Sequence, residues 1–242
     1  SLFDGGARGA RIGQAEAGEA VARHGELAAR GIASEQLLDS LESELVDFLR
    51  RLVRIPTENP PGRNYRQCAQ LIGLKLHELG CSVRYEEVPE ELLDSLAPHG
   101  NGLPRVNVIG SFPGPRPRPL LHITGHYDVV PAGPAWSVEP FGAELKDGKV
   151  FGRGTSDQKS GIAAQIFALQ ALQACGMLPD GSLLLSATPD EETGGFAGLG
   201  TSPSRITRLR RSGPAMTRSI DSSNSVSPMA FLSRLAAKMA AR

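Results

Sequence analysis

The chain has 242 residues, 40% of them hydrophobic and 21% charged, which suffices for one sizeable globular domain and excludes a compositionally disordered protein. Its formal net charge is zero, so no global basic or acidic field points to nucleic acid or to an anionic membrane, and small solutes are the expected ligands. Three cysteines, Cys68, Cys81 and Cys175, form no C-x-x-C pair and read as ordinary buried thiols in a reducing compartment.

In chain order, residues 1–33 are rich in Gly, Ala, Arg and Glu and are expected to form a mobile amino-terminal extension. From Ser34, a plausible N-cap, Leu37, Leu38, Leu41, Leu45, Phe48, Leu49 and Leu52 recur at helical spacing until Pro56. The turn TENPPG follows. A second helical pattern through Cys68, Leu71, Ile72, Leu74, Leu76 and Leu79 then ends at Gly80, a residue suited to a C-terminal cap. Cys81 to Val88 alternates as a strand does. The apolar runs Val106–Gly110, Leu120–Thr124 and Ser182–Thr188 read as strands buried in a sheet, with an apolar helix from Ser160 to Cys175 between the last two. Helices alternating with buried strands give an α/β layer architecture, in which sites gather beyond the carboxyl ends of strands; His126 and Glu191 fall there.

Three loops carry the chemistry. In GHYD, His126 and Asp128 are two apart at a strand end, so both side chains share one side and the carboxylate can orient the imidazole. In GRGTSD, Asp157 either caps the following helix or, with two oxygens, bridges two cations. In PDEETGG, the adjacent Glu191 and Glu192 repel each other unless solvated or neutralised by a cation, and they point differently, so one can ligate metal while the other moves protons. GRGTSDQKSG fits neither the phosphate-loop nor the dinucleotide pattern, which leaves a nucleotide-binding domain poorly supported. Arg63, Arg66 and Arg84 read as solvated surface charges.

Taken in order, GHYDVVPAG, the W-x-x-x-PF of Trp136, Pro140 and Phe141, DGKVFGRGTSDQKSG and PDEETGG resemble the zinc-dependent aminoacylase and carboxypeptidase metallopeptidase superfamily that includes acetylornithine deacetylase and succinyl-diaminopimelate desuccinylase. The resemblance runs from about Ser34 to Gly200; Gln158 departs from it, standing where the family usually has a longer apolar residue. It implies the amino-terminal part of an α/β/α sandwich catalytic domain with a central, largely parallel sheet. It further implies His126 and Glu192 as ligands to separate zinc ions, Asp157 bridging them, Asp128 orienting His126 and Glu191 as general base. Two zinc ions are implied, with cobalt able to substitute. The implied reaction is hydrolysis of the amide bond of an N-acyl amino acid or small peptide, by a cytoplasmic protein with neither nucleic-acid nor membrane partners, whose intact relatives form homodimers.

The resemblance stops short of a complete site. It supplies two ligands for each zinc, whereas a catalytic zinc has about three plus water. The family adds a downstream acid and a late histidine. Here no Asp or Glu occurs from Thr193 to Ile220 and no His follows His126; Asp221 is the one acid available to substitute. Residues 201–242 hold eight Lys or Arg, nine Ser and the single acid Asp221, a basic tail unlike the preceding 200 residues. The expectation is a chain truncated or frameshifted after about Gly200, lacking the lid or dimerisation domain and showing little turnover. The alternative is a catalytically inactive fragment or a metal-binding regulatory module.

Overall fold

A computed structural model describes residues 34–116, 120–174 and 181–201. The extension 1–33, Cys175 and the tail from residue 202, with Asp221, lie outside the described residues.

The first helix, α1 (Ser34–Val53), buries Leu41, Leu45, Phe48, Leu49 and Leu52 along one stripe. That stripe is the three-to-four spacing read from the sequence. Helix α2 (Tyr65–Glu78) buries Cys68, Ala69, Ile72 and Leu76. It closes as expected on Gly80, at φ +80°, where the Gly80 amide bonds the His77 carbonyl and the Cys81 amide bonds the Leu76 carbonyl. Then come β1 (Ser82–Glu87), a short helix α3 (Glu90–Leu96), β2 (Val106–Phe112) and β3 (Leu120–His126). A small hairpin of β4 (Glu144–Lys146) and β5 (Lys149–Phe151) turns at Asp147 and Gly148, both at positive φ. Helix α4 (Lys159–Ala174) leads to β6 (Ser182–Thr188), and a 3-10 turn occupies Glu191–Thr193.

The main sheet has the order β1-β2-β6-β3. It is mixed: β1 with β2 and β2 with β6 are antiparallel, while β3 and β6 are parallel, joined by the long connection through the hairpin and α4 that a parallel pair requires. This parallel pair positions the site. Register sets His126 beside Thr188, so the two strands end side by side and their following loops converge.

One core cluster joins α1, α2 and α4 to a single sheet face through Val106, Val108, Leu183, Leu185 and Ala187. Phe48 and Phe167, with ring centroids 6.0 Å apart, lock α1 to α4. Each fully buried Leu, Ile or Phe in this layer contributes about 1.5–3 kcal/mol. A second, smaller cluster of Val88, Leu93, Ala97 and Ala197 ties α3 to the segment after β6. Cys68 and Cys81 are buried free thiols. Arg66 and Arg84 pair at the surface with Glu87 and Glu86. No helix among the described residues is long and apolar enough to cross a membrane.

Candidate metal centre

At the end of β3 the chain is clamped from both sides. The Tyr127 amide bonds the Thr188 carbonyl, continuing the β3–β6 ladder, and the Tyr127 hydroxyl donates to the Val106 carbonyl. On the other side the TENPPG loop runs alongside: the Val129 amide bonds the Thr57 carbonyl and the Asn59 amide bonds the Val129 carbonyl. The side chain of Asp128 between these anchors is fully buried.

His126 Nδ1 lies 3.1 Å from the Asp128 carbonyl oxygen and 3.4 Å from Asp128 Oδ1. Both are acceptors, so Nδ1 carries a proton, and it is Nε2 that offers a lone pair whenever the ring gives up its other proton to take a metal. Nε2 faces Asp157 Oδ1 at 3.1 Å and Glu191 Oε2 at 3.6 Å. Asp157 therefore turns toward the histidine and away from a mere helix-capping role, and its side chain remains 75% exposed. Ligand atoms of His126, Glu191 and Glu192 all lie within 4.8 Å of one another.

Asp128 does more than orient the imidazole. Its Oδ1 accepts the Glu191 amide at 3.2 Å, and its Oδ2 accepts the Glu192 amide at 3.1 Å and Asn59 Nδ2 at 2.9 Å. One buried carboxylate thus joins His126 to the turn that bears both glutamates. Asp190, held at φ +74°, organises the rest of that turn: its Oδ1 accepts Thr193 Oγ1 at 2.9 Å and its Oδ2 accepts the Ala197 amide at 3.2 Å. Arg105 Nε reaches Asp190 Oδ1 at 3.2 Å. On the far side Lys159, with no exposed surface, donates to the carbonyls of Leu52 at 3.0 Å and Ile55 at 2.7 Å, tying the Asp157 loop to the end of α1.

The electrostatics are those of a site short of positive charge. Burial acts to lower the His126 pKa, but the hydrogen bond to Asp128 and the charges of Asp128 and Glu191 prevail and lift it to about 9. Glu192 is raised from its ordinary value, first by burial and then by the charges of Asp128, Asp157 and Glu191 against the lowering effect of His126. Among the described residues, Arg105 is paired with Asp190. Four carboxylates thus surround one imidazole. An imidazole nitrogen of fixed tautomer with carboxylate oxygens around it is a donor set that fits a borderline divalent cation such as zinc.

All five residues singled out in the sequence converge here. Sequence reasoning missed Asn59, Arg105, Asp190, Thr193 and the anchoring role of Lys159. Asp190 and Thr193 sat inside a quoted motif, PDEETGG, and Asn59 inside TENPPG; an isolated arginine such as Arg105 gave no signal.

Residues 122–214 match the family Peptidase family M20/M25/M40. A succinyl-diaminopimelate desuccinylase of Wolinella succinogenes is 53% identical over 70 residues, 29% of this chain and 18% of that protein. An N-formyl-4-amino-5-aminomethyl-2-methylpyrimidine deformylase of Halalkalibacterium halodurans is 32% identical over 165 residues, 66% of this chain and 36% of that protein. Human carnosine dipeptidase 1 superposes with a TM-score of 0.58 at 25% identity, covering 71% of this chain and 36% of that one. An M20 family metallo-carboxypeptidase of Sulfolobus solfataricus shares the fold, with a TM-score of 0.54 at 22% identity over 65% of this chain and 33% of that one. The chain thus spans roughly a third or less of the length of these relatives. Residues 122–214 are a segment of the Peptidase family M20/M25/M40 type, and over the part it spans the chain is similar to desuccinylase, deformylase and dipeptidase relatives.

Proposed function

We propose that this site belongs to a metal-dependent hydrolase that cleaves the amide bond of an N-acyl amino acid or small peptide, with zinc as the metal. The observation that carries the reading is the convergence of His126 Nε2, Asp157 and the Glu191–Glu192 pair, with the imidazole tautomer already set by Asp128. The activities of the relatives, a desuccinylase, a deformylase and a dipeptidase, support the amide class.

His126 and Glu192 would each hold one of two cations, with Asp157 between them. When bound, the metal polarises the acyl carbonyl and lowers the pKa of the attacking water. Glu191, 59% exposed and 3.6 Å from His126 Nε2, would accept the proton of that water as its oxygen adds to the carbonyl carbon. Collapse of the adduct breaks the C–N bond, and Glu191 returns the proton to the departing amine nitrogen. Asp128 takes no proton. It holds the imidazole and, through two backbone amides, the general base in one frame.

A second reading is a metal-binding module without turnover. It is favoured by the count of ligands: among the described residues each cation of a pair would have two protein ligands, below the usual three. Incubation of the chain with zinc and a panel of N-succinyl, N-acetyl and N-formyl amino acids and dipeptides, read by amine release, separates the two. Zinc-dependent amine release supports the hydrolase; stoichiometric zinc with no release supports the module; no zinc binding refutes both.

A further inference from the structure

The Glu191–Glu192 turn is attached to the fold through a buried polar cluster built on Asp190 and Arg105. Asp190 and Arg105 are each 1% exposed, and they form an ion pair between a loop ahead of β2 and the turn after β6. Burial of both partners makes this costly unless the remaining donors and acceptors are satisfied. Asp190 also accepts Thr193 Oγ1, the Ala197 amide and, at 3.4 Å, Asn59 Nδ2. Arg105 Nη1 donates to the Leu103 carbonyl at 3.1 Å, and its guanidinium lies 5.1 Å above the Tyr65 ring, itself edge-on to Tyr127. Space for the guanidinium is set aside in the sequence. A Cβ at Gly62 would stand 2.5 Å from Arg105 Nη1, and one at Gly100 would stand 2.6 Å from Arg105 Nη2. Two glycines from separate loops thus make room for one arginine head group.

Asn59 links this cluster to the histidine side. Its Nδ2 donates to Asp128 Oδ2 at 2.9 Å and to Thr193 Oγ1 at 3.0 Å. A continuous path therefore runs from Arg105 through Asp190, Thr193 and Asn59 to Asp128, the carboxylate that carries the Glu191 and Glu192 amides.

We propose that Arg105 is a positioning residue whose pairing with Asp190, relayed by Thr193 and Asn59, holds the Glu191–Glu192 turn in register with His126. The proposal rests on the metal-site reading above for its functional meaning, but not for its structural content. A planar, always charged group is needed, because it bonds Asp190 at one edge, a carbonyl at another and an aromatic ring on its face. Lysine supplies only a point charge.

The test uses the full 242-residue chain and two variants, Arg105→Lys and the nearly isosteric Thr193→Val, with two readouts. Amide hydrogen exchange without metal should show the Glu191 and Glu192 amides protected in the parent and exchanging at least about tenfold faster in both variants, with α1 and α2 unchanged. Zinc titration should show affinity falling roughly 10- to 100-fold, the loss typical when groups supporting a ligand are removed. If Arg105→Lys loosens the whole fold, Thr193→Val alone decides by the same criteria. Unchanged exchange at Glu191 and Glu192 in the deciding variant overturns the proposal, as does faster exchange with unchanged zinc affinity. A parent chain that binds no zinc overturns the metal-site reading instead, and the clamp then stands or falls on exchange alone.

Discussion

Replacing Lys159 with Met removes a side chain that ties the Asp157 loop to the end of α1. Lys159 is fully buried, and its ammonium donates to the carbonyls of Leu52 and Ile55 at the end of α1, where the Leu52 carbonyl also accepts the Ile55 amide at 3.2 Å. Methionine fills nearly the same volume but donates nothing, so two buried acceptors lose a charged donor, at about 1–3 kcal/mol each. Against this stands the relief of a desolvated cation: burial lowers the pKa of Lys159 from its ordinary value, so part of the loss is recovered. The net expectation is a destabilisation of about 2–4 kcal/mol, a large share of the roughly 5–15 kcal/mol that holds such a domain together. Urea unfolding followed by circular dichroism at the helical band should show a lower midpoint at unchanged slope. A loss below about 1 kcal/mol would mean that water replaces the ammonium at those carbonyls, and it would refute the anchoring argument.

Three further outcomes follow from individual contacts. Glu191→Gln should keep zinc affinity within about threefold, whereas Glu192→Gln should lose tenfold or more, about 1.4 kcal/mol, in the same calorimetric titration; equal losses would contradict the division of labour between the two acids. Gly62→Ala should destabilise the chain by roughly 1–3 kcal/mol, because its φ of +90° disfavours a side chain and the new Cβ would meet Arg105 Nη1 at 2.5 Å; thermal unfolding reads this directly. The thiols of Cys68 and Cys81 are pushed up to about 11 by burial, from an ordinary value of 9.0. The folded pKa is the higher one, so their contribution is fully present below pH 9 and is lost as pH rises to about 11; for the fully buried Cys68 it is roughly 2–3 kcal/mol. Stability measured from pH 8 to 11 should fall across that window, and less so in Cys68→Ala.

Much of this molecule could be read from its sequence, and the parts that could not share a physical cause. Helices α1, α2 and α4 announce themselves because one apolar stripe, or an almost wholly apolar surface, recurs over several turns. The strand Ser182–Thr188 was legible to the residue because both faces are largely buried between turn signals. The hairpin at Asp147 and Gly148 escaped notice although Asp-Gly is a hairpin signal, because its three-residue strands are too short to show alternation. Helix α3 escaped for a similar reason: it has seven residues, and Leu93 is the one it buries fully. In the sheet, strand order depends on how connections cross in space, so the antiparallel pairing of β2 with β6 has no local signature. The site divides the same way. His126, Asp128, Asp157, Glu191 and Glu192 stand in motifs whose residue types state their chemistry. Arg105, Asn59 and Lys159 act through side-chain contacts that reach 69 to 134 positions along the chain, and spacing does not encode such contacts.

The proposed centre takes two divalent cations, one at His126 Nε2 and Asp157 and the other at Asp157 and Glu192. An anomalous difference map at the zinc edge, from crystals of the chain grown with zinc, tests it most directly. Two anomalous peaks are expected, one about 2.0–2.2 Å from His126 Nε2 and an Asp157 carboxylate oxygen, the other at the same distances from carboxylate oxygens of Asp157 and Glu192. Density elsewhere with none between these three side chains, or no density at all beside an intact His126–Asp128 contact, would contradict it.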